Sequence, residues 1–273
     1  MIVTYRNPGA GFVATLLATS RAYLQRSSAY LIALIRWPLG PLFTFATWRV
    51  TYHAAGNGSV EGATVSGFLL VGVFGLITWT SSIWASGYAV EYERGEGTSA
   101  SLFLTPASRA AVVAGYGLGS FVWFLPSFAA LAFLAFVTGA RFDIGDPPAA
   151  FAATVSLFVA SLAAGFAFSG LFILSRKANL IANVLQSPAY LLSGLLIPLS
   201  SLPAWLRPLS GAVPATQAVV ALRRSVLLGA STRSIGADVL HSLAVSVVWF
   251  VVGLIGLRVV EYVAKHTGRL ELF

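Results

Sequence analysis

This chain of 273 residues carries only nine carboxylates. They are Glu61, Glu91, Glu93, Glu96, Asp143, Asp146, Asp238, Glu261 and Glu271, and each falls in a polar stretch or at the end of an apolar block. Proton-driven membrane chemistry usually runs through ionisable groups inside the spans, and no acid stands there. Coupling to sodium through backbone carbonyls stays open. The only lysines, Lys177 and Lys265, follow no glycine-rich loop, so the chain lacks a phosphate-binding loop and cannot hydrolyse nucleotide by itself. His53, His241 and His266 are far apart and show no metal-ligand spacing. With no cysteine, thiolate catalysis, disulfides and zinc–thiolate sites are excluded. An intramembrane enzyme is therefore disfavoured, and any transport by this chain draws its energy from a partner.

The elements around these groups are membrane elements. Hydrophobic residues make up 57% of the chain and charged residues 10%, against roughly 25% charged in soluble domains. Mean hydropathy is +0.82. The apolar residues fall in blocks at about 29–50, 63–88, 110–138, 150–174, 180–197 and 238–262, each about the 20 residues a span needs. The fold class expected is an all-α membrane protein with six transmembrane helices. Residues 1–28 precede the first block, and 9–26 within them predict an amphipathic helix. Phe12, Val13, Leu16, Leu17, Tyr23 and Leu24 share about 140° of arc at the helical period. The first block holds Arg36, Pro38 and Pro41, and the proline pair predicts a kink or break. Arg36 either snorkels to the near interface or points inward. Between 198 and 222, Pro198, Pro203, Pro208 and Pro214 forbid a continuous span, which predicts short re-entrant helices covered by other protein.

Net charge is +8, but the basic residues stand singly between apolar blocks, which argues for lipid and cytoplasm rather than nucleic acid as their partner. With both termini inside, the inner side carries Arg6, Arg21, Arg26, Arg94, Arg109, Arg176, Lys177, Lys265 and Arg269. The outer side carries Arg49, Arg141, Arg207, Arg223, Arg224 and Arg233. The excess favours N-in and C-in. Four of the outer arginines lie between the fifth and sixth blocks, where they either contradict that topology or form a specific feature.

Two stretches resemble a known family. The first reads Glu91-Tyr92-Glu93-Arg94-Gly95-Glu96-Gly97-Thr98, then Leu102-Phe103-Leu104-Thr105-Pro106-Ala107-Ser108-Arg109. The second contains Ser193-Gly194, Pro198, Leu202-Pro203-Ala204-Trp205-Leu206-Arg207, Pro214 and Ala221-Leu222-Arg223. In this order and spacing they resemble the permease subunits of ABC type-2 superfamily exporters, the daunorubicin-resistance permeases among them. On charge alone the first stretch would merely terminate the second span. The second could be a proline-rich loop that only packs.

The resemblance implies a single transmembrane domain over 1–273, with residues 1–28 as a cytoplasmic interface helix. Residues 91–109 would couple to the ATPase through Glu91, Glu93, Arg94, Glu96, Thr98, Leu102, Phe103 and Arg109. Residues 198–222 would form a re-entrant outer segment, with Ser193, Gly194, Pro198, Pro203, Trp205 and Pro214 at the outer gate and dimer contact. It also implies two cytoplasmic ABC ATPase subunits, which bind the ATP and magnesium, and a second permease chain, identical or related. This chain itself would hold no cofactor. The setting would be lipid of the bacterial cytoplasmic membrane, and the function export of a hydrophobic or amphiphilic compound. A permease for lipid-linked polysaccharide and a membrane scaffold without a transport path are the alternatives. Arg36, Trp79, Trp84 and Trp123 either line a substrate path or, for the tryptophans, sit in a lipid-facing belt.

Overall fold

The computed structural model describes residues 8–28, 31–87, 89, 108–174 and 178–267. They are predominantly helical, as an apolar chain in lipid must be, because only helices and closed barrels satisfy every backbone group without water. Helix α1 spans Pro8–Ser28 and α2 Leu31–Ala54. A two-residue hairpin, β1 Ser59–Val60 and β2 Ala63–Thr64, turns through Glu61 and Gly62, both at positive φ. Then follow α3 Val65–Gly87, α4 Arg109–Trp123, α5 Leu125–Val137 and α6 Pro147–Leu174. Helix α7 Ala178–Leu192 leads to a 3-10 turn at Leu199–Ser201, the short α8 Arg207–Ser210, α9 Pro214–Leu227 and α10 Thr232–Thr267.

Among the described residues three helical stretches are long and apolar enough to cross a membrane: Val65–Gly87, Pro147–Ser169 and Thr232–Val259. The bent pair α4–α5 makes a fourth. The block at 110–138, expected as one helix, is two, bent by 40° at Phe124. Pro126 lies in the first turn of α5 and has no N–H to continue the ladder. In α2 the proline pair makes no break: the helix runs through Pro38 and Pro41. Helix α7 ends at Leu192, before the expected 197, because Gly194 adopts φ +69°, the left-handed conformation that closes helices. The segment expected at 198–222 contains short helices, but its last one, α9, continues to Leu227.

Helix α6 is the hub, packing on α10, α3 and α9. It buries Ala149, Ala153, Leu157, Ala160, Ala163 and Ala164, and such small residues let backbones approach where no hydrophobic drive acts between helices. A Cβ on Gly253 of α10 would overlap the Phe166 backbone. Helix α3 is central, with 72% of its span buried, whereas only 17% of the α10 span is. Helix α10 turns Val247, Val248, Val251 and Ile255 outward, as a lipid-facing helix should.

Helix α1 lies against α4. A Cβ on Gly115 would overlap the Thr19 hydroxyl, Ser20 Oγ donates to Gly115 O at 2.8 Å, and Tyr23 meets Tyr116 edge-on at 5.8 Å. The contact therefore runs through Thr19 and Ser20. Phe12, Val13 and Leu17 of the apolar arc stay exposed.

At the other end of the bundle, loops are tied together. Arg49 Nε donates to Ser66 Oγ at 3.2 Å and its Nη2 to Thr138 O at 3.3 Å. Asp143 N donates to Val226 O at 3.0 Å, and Gly229 N to Asp143 O at 2.8 Å. The Asp146 carboxylate accepts from Thr232 N at 2.6 Å, Thr232 Oγ1 at 2.8 Å and Ala149 N at 3.4 Å, so one acid caps both α6 and α10. The backbone N–H of Thr232, then its hydroxyl, hold the Asp146 carboxyl below the usual carboxylate range. A lowered folded pKa means stability that is present above the unfolded value and is lost as pH falls through the folded one. Wild type should therefore lose thermal stability on acidification through that window, and Asp146→Asn should lose less of its own. Melting of the detergent-solubilised pair across pH checks this; parallel curves would contradict it.

Candidate functional site: a capped turn and a polar cluster

Irregular backbone needs donors for its carbonyls, and in the segment between α7 and α9 side chains of neighbouring elements supply several of them. Arg223 of α9, 6% exposed, donates from Nη1 to Gly194 O at 2.7 Å and from Nη2 to Leu195 O at 2.6 Å. Its guanidinium lies 3.6 Å over the Phe68 ring of α3, a cation–π contact strengthened by desolvation. Tyr52 of α2 donates to Leu196 O at 2.9 Å. Arg207 donates to Leu202 O at 3.0 Å and Ser200 O at 2.8 Å. From α10, Trp249 Nε1 donates to Ala212 O at 3.0 Å and Ser242 Oγ to Pro214 O at 2.9 Å. His241 Nε2 stands 3.0 Å from Gly211 O. A carbonyl can only accept, so this bond requires the proton on Nε2.

Gly72 of α3 completes the seat: a Cβ there would overlap the Leu195 carbonyl oxygen. The turn after α7 is thus pressed onto the α3 backbone and held by a forked cation. Arg224, next in sequence, pairs with Asp238 of α10 at 2.6 Å. That pair is part-exposed and of small energetic weight.

A second feature lies within the helices. Tyr190 of α7 donates to Gln186 Oε1 one turn earlier and bonds Thr80 of α3 at 3.1 Å. Gln186 is 3% exposed, and its amide nitrogen has no partner. Leu180, Val184 and Leu191 of the same helix are exposed. Helix α7 therefore turns Gln186 and Tyr190 inward and Leu180, Val184 and Leu191 outward, with Asn183 also exposed.

The residues expected at the outer gate are brought into one region. Buried Ser193 donates to Tyr190 O at 3.0 Å, Gly194 supplies the left-handed turn, Pro198 precedes the 3-10 turn, and Pro214 opens α9. Pro203 and Trp205 are exposed. The tryptophans expected along a path or belt differ among themselves. Trp79 is 1% exposed and packs edge-on to Trp249 at 5.9 Å. Trp123 is also buried, and Trp84, half-buried, meets Phe172. Neither Trp79 nor Trp123 faces lipid from this protomer. Arg36 belongs to α2, but its side chain lies outside the described part. Glu91, Glu93, Arg94, Glu96, Thr98, Leu102 and Phe103 also lie outside the described residues, and Arg109 is the first residue of α4. Sequence reasoning missed Gly72, Tyr52, Gln186 and Tyr190. A glutamine four residues before a tyrosine in an apolar block was the available signal for the last two.

A bundle with three or four helical stretches long and apolar enough to cross a membrane is the architecture of a multi-pass membrane protein. The chain matches the ABC-2 type transporter family over residues 11–227, from α1 through α9, and it belongs to that family. No curated protein matches it. The chain is accordingly the membrane permease part of an ABC-2 type transporter.

Proposed function

We propose that this permease exports a hydrophobic or amphiphilic compound, powered by two separate cytoplasmic ATPase subunits and paired with a second permease chain. The observation that carries the reading is the α3–α7 cluster of Thr80, Gln186 and Tyr190, seen in a member of this family whose carboxylates all stand in polar stretches or at the ends of the apolar blocks. Hydrogen-bonding groups without ionisable relays suit an uncharged or amphiphilic cargo and an external energy source. In this reading α2, α3, α4–α5, α6, α7 and α10 make six crossings, with both termini cytoplasmic. The charge distribution supports that orientation. Four of the six outer arginines, Arg49, Arg207, Arg223 and Arg224, are committed to contacts inside the protein. Folding therefore accounts for their position.

Closure of the ATPases on ATP pushes residues 91–109 as a rigid element, which re-packs the helices from alternating sides or extrudes the cargo. Glu93 and Arg94 lie near that contact and Phe103 anchors it. An exposed ion pair contributes only about 0–1 kcal/mol, whereas burying a phenylalanine contributes roughly 1.5–3 kcal/mol. Phe103→Ala is thus expected to lower transport per ATP hydrolysed further than Glu93→Gln does, in liposomes holding the permease and its ATPase. If the Phe103 variant couples like wild type, this loop is not the coupling element or Phe103 is not its anchor. If an amphiphilic cargo never stimulates hydrolysis, the export reading itself fails.

A further inference from the structure

An open cleft of about 460 Å³ lies between the 3-10 turn and α9, lined by Leu199, Ser200, Arg207, Ser210 and Gln217 among others. Three features give it a chemistry. Arg207 is fixed by the Leu202 and Ser200 carbonyls, and no carboxylate pairs with it among the described residues. Among the described residues the hydroxyl of Ser210, a residue 4% exposed, has no partner. Gln217 adds a half-buried amide. A pre-oriented guanidinium beside neutral donors, with no acid to balance it, selects an anion, and phosphate oxygens match the guanidinium fork. Its surroundings say what carries that anion. Trp205 is 72% exposed and Leu209 50% exposed on either side of Arg207, and tryptophan settles at headgroup level. A zwitterionic headgroup would bring an ammonium for which the cleft has no carboxylate.

We propose that this cleft binds the headgroup of an anionic phospholipid, with Arg207 on the phosphate, Ser210 and Gln217 on its remaining oxygens, and the acyl chains beside Trp205 and Leu209. The site is separate from the export reading and is measured without transport. The full-length chain is purified from membranes containing phosphatidylglycerol and phosphatidylcholine, and retained lipid is read by native mass spectrometry. Phosphatidylglycerol is expected to be enriched on wild type. Arg207→Gln should weaken retention about tenfold, the scale of one charge-assisted hydrogen bond. Because Arg207 also holds two carbonyls, Gln217→Leu provides a second variant that breaks no internal bond and should lower retention too. Arg233→Gln, an exposed arginine away from the cleft, should change nothing. Equal retention of the two lipids, unchanged retention in both cleft variants, or an equal loss in Arg233→Gln would overturn the proposal. So would displacement of the lipid by millimolar inorganic phosphate, which would make the free anion the occupant.

Discussion

Arg223→Met is expected to be the most destabilising removal of a charge in the described part of this permease. The substitution leaves the Gly194 and Leu195 carbonyls without donors at a place water does not reach. An unsatisfied buried carbonyl costs roughly 1–3 kcal/mol, and two are affected. Against this stands relief from burying a guanidinium, which for a well-packed apolar replacement can offset much of the loss. We expect the loss to win, because the carbonyls cannot turn elsewhere: Gly72 presses on one side, and the neighbouring Leu196 carbonyl is tied to Tyr52. The stacking on Phe68, about 2 kcal/mol when desolvated, disappears as well. Arg223→Lys should fall between, since an ammonium cannot fork to two carbonyls or lie flat on a ring. Melting of the detergent-solubilised proteins, with Arg233→Gln as the exposed control, reads the order. A methionine variant as stable as wild type would show that the fork does not hold the turn.

Gly72→Ala should be the second large effect. Its Cβ would lie 1.9 Å from the Leu195 carbonyl oxygen, a backbone atom held in place by the Arg223 guanidinium. Overpacking typically costs about 1–3 kcal/mol, more when the obstacle cannot move. Gly75, one turn later, is the internal comparison: a Cβ there comes within 2.5 Å of Leu195 Cδ2, the end of a flexible side chain that can rotate away. Gly75→Ala should therefore be much milder. Once Arg223 is gone, the Leu195 carbonyl can retreat, so Gly72→Ala with Arg223→Met should destabilise by less than the sum of the two. Equal melting of the Gly72 and Gly75 variants, or strict additivity, would argue that the turn is not clamped between α3 and α9.

This clamp explains why the site was only half legible. Ser193, Gly194, Pro198 and Pro214 stand out in sequence because prolines and a helix-closing glycine act on their own backbone. What they do is local, and the end of α7 and the start of α9 fall where they stand. Arg223 reads in sequence as one more outer charge, since nothing within the chain's own turn reveals that its fork fits carbonyls 28 and 29 residues away. The same holds for Gly115, whose need for no side chain is set by Thr19 of a separate helix. Proline shows the limit from the other side: the pair in α2 leaves the helix continuous, while Pro126 accompanies a 40° bend.

By itself the sequence determined the membrane class, the apolar blocks and their order, and the family resemblance. These follow from composition, length and motif, which need no partner residue to be read. Tertiary structure decided which helix is central and which is exposed, which arginines are bonded inside the protein, and that Trp79 is core rather than surface. It also decided that Gln186 and Tyr190 meet Thr80. In lipid every helix is apolar enough to be stable, so hydropathy cannot rank their neighbours. That choice falls to close packing at glycines and to hydrogen bonds between residues distant in the chain.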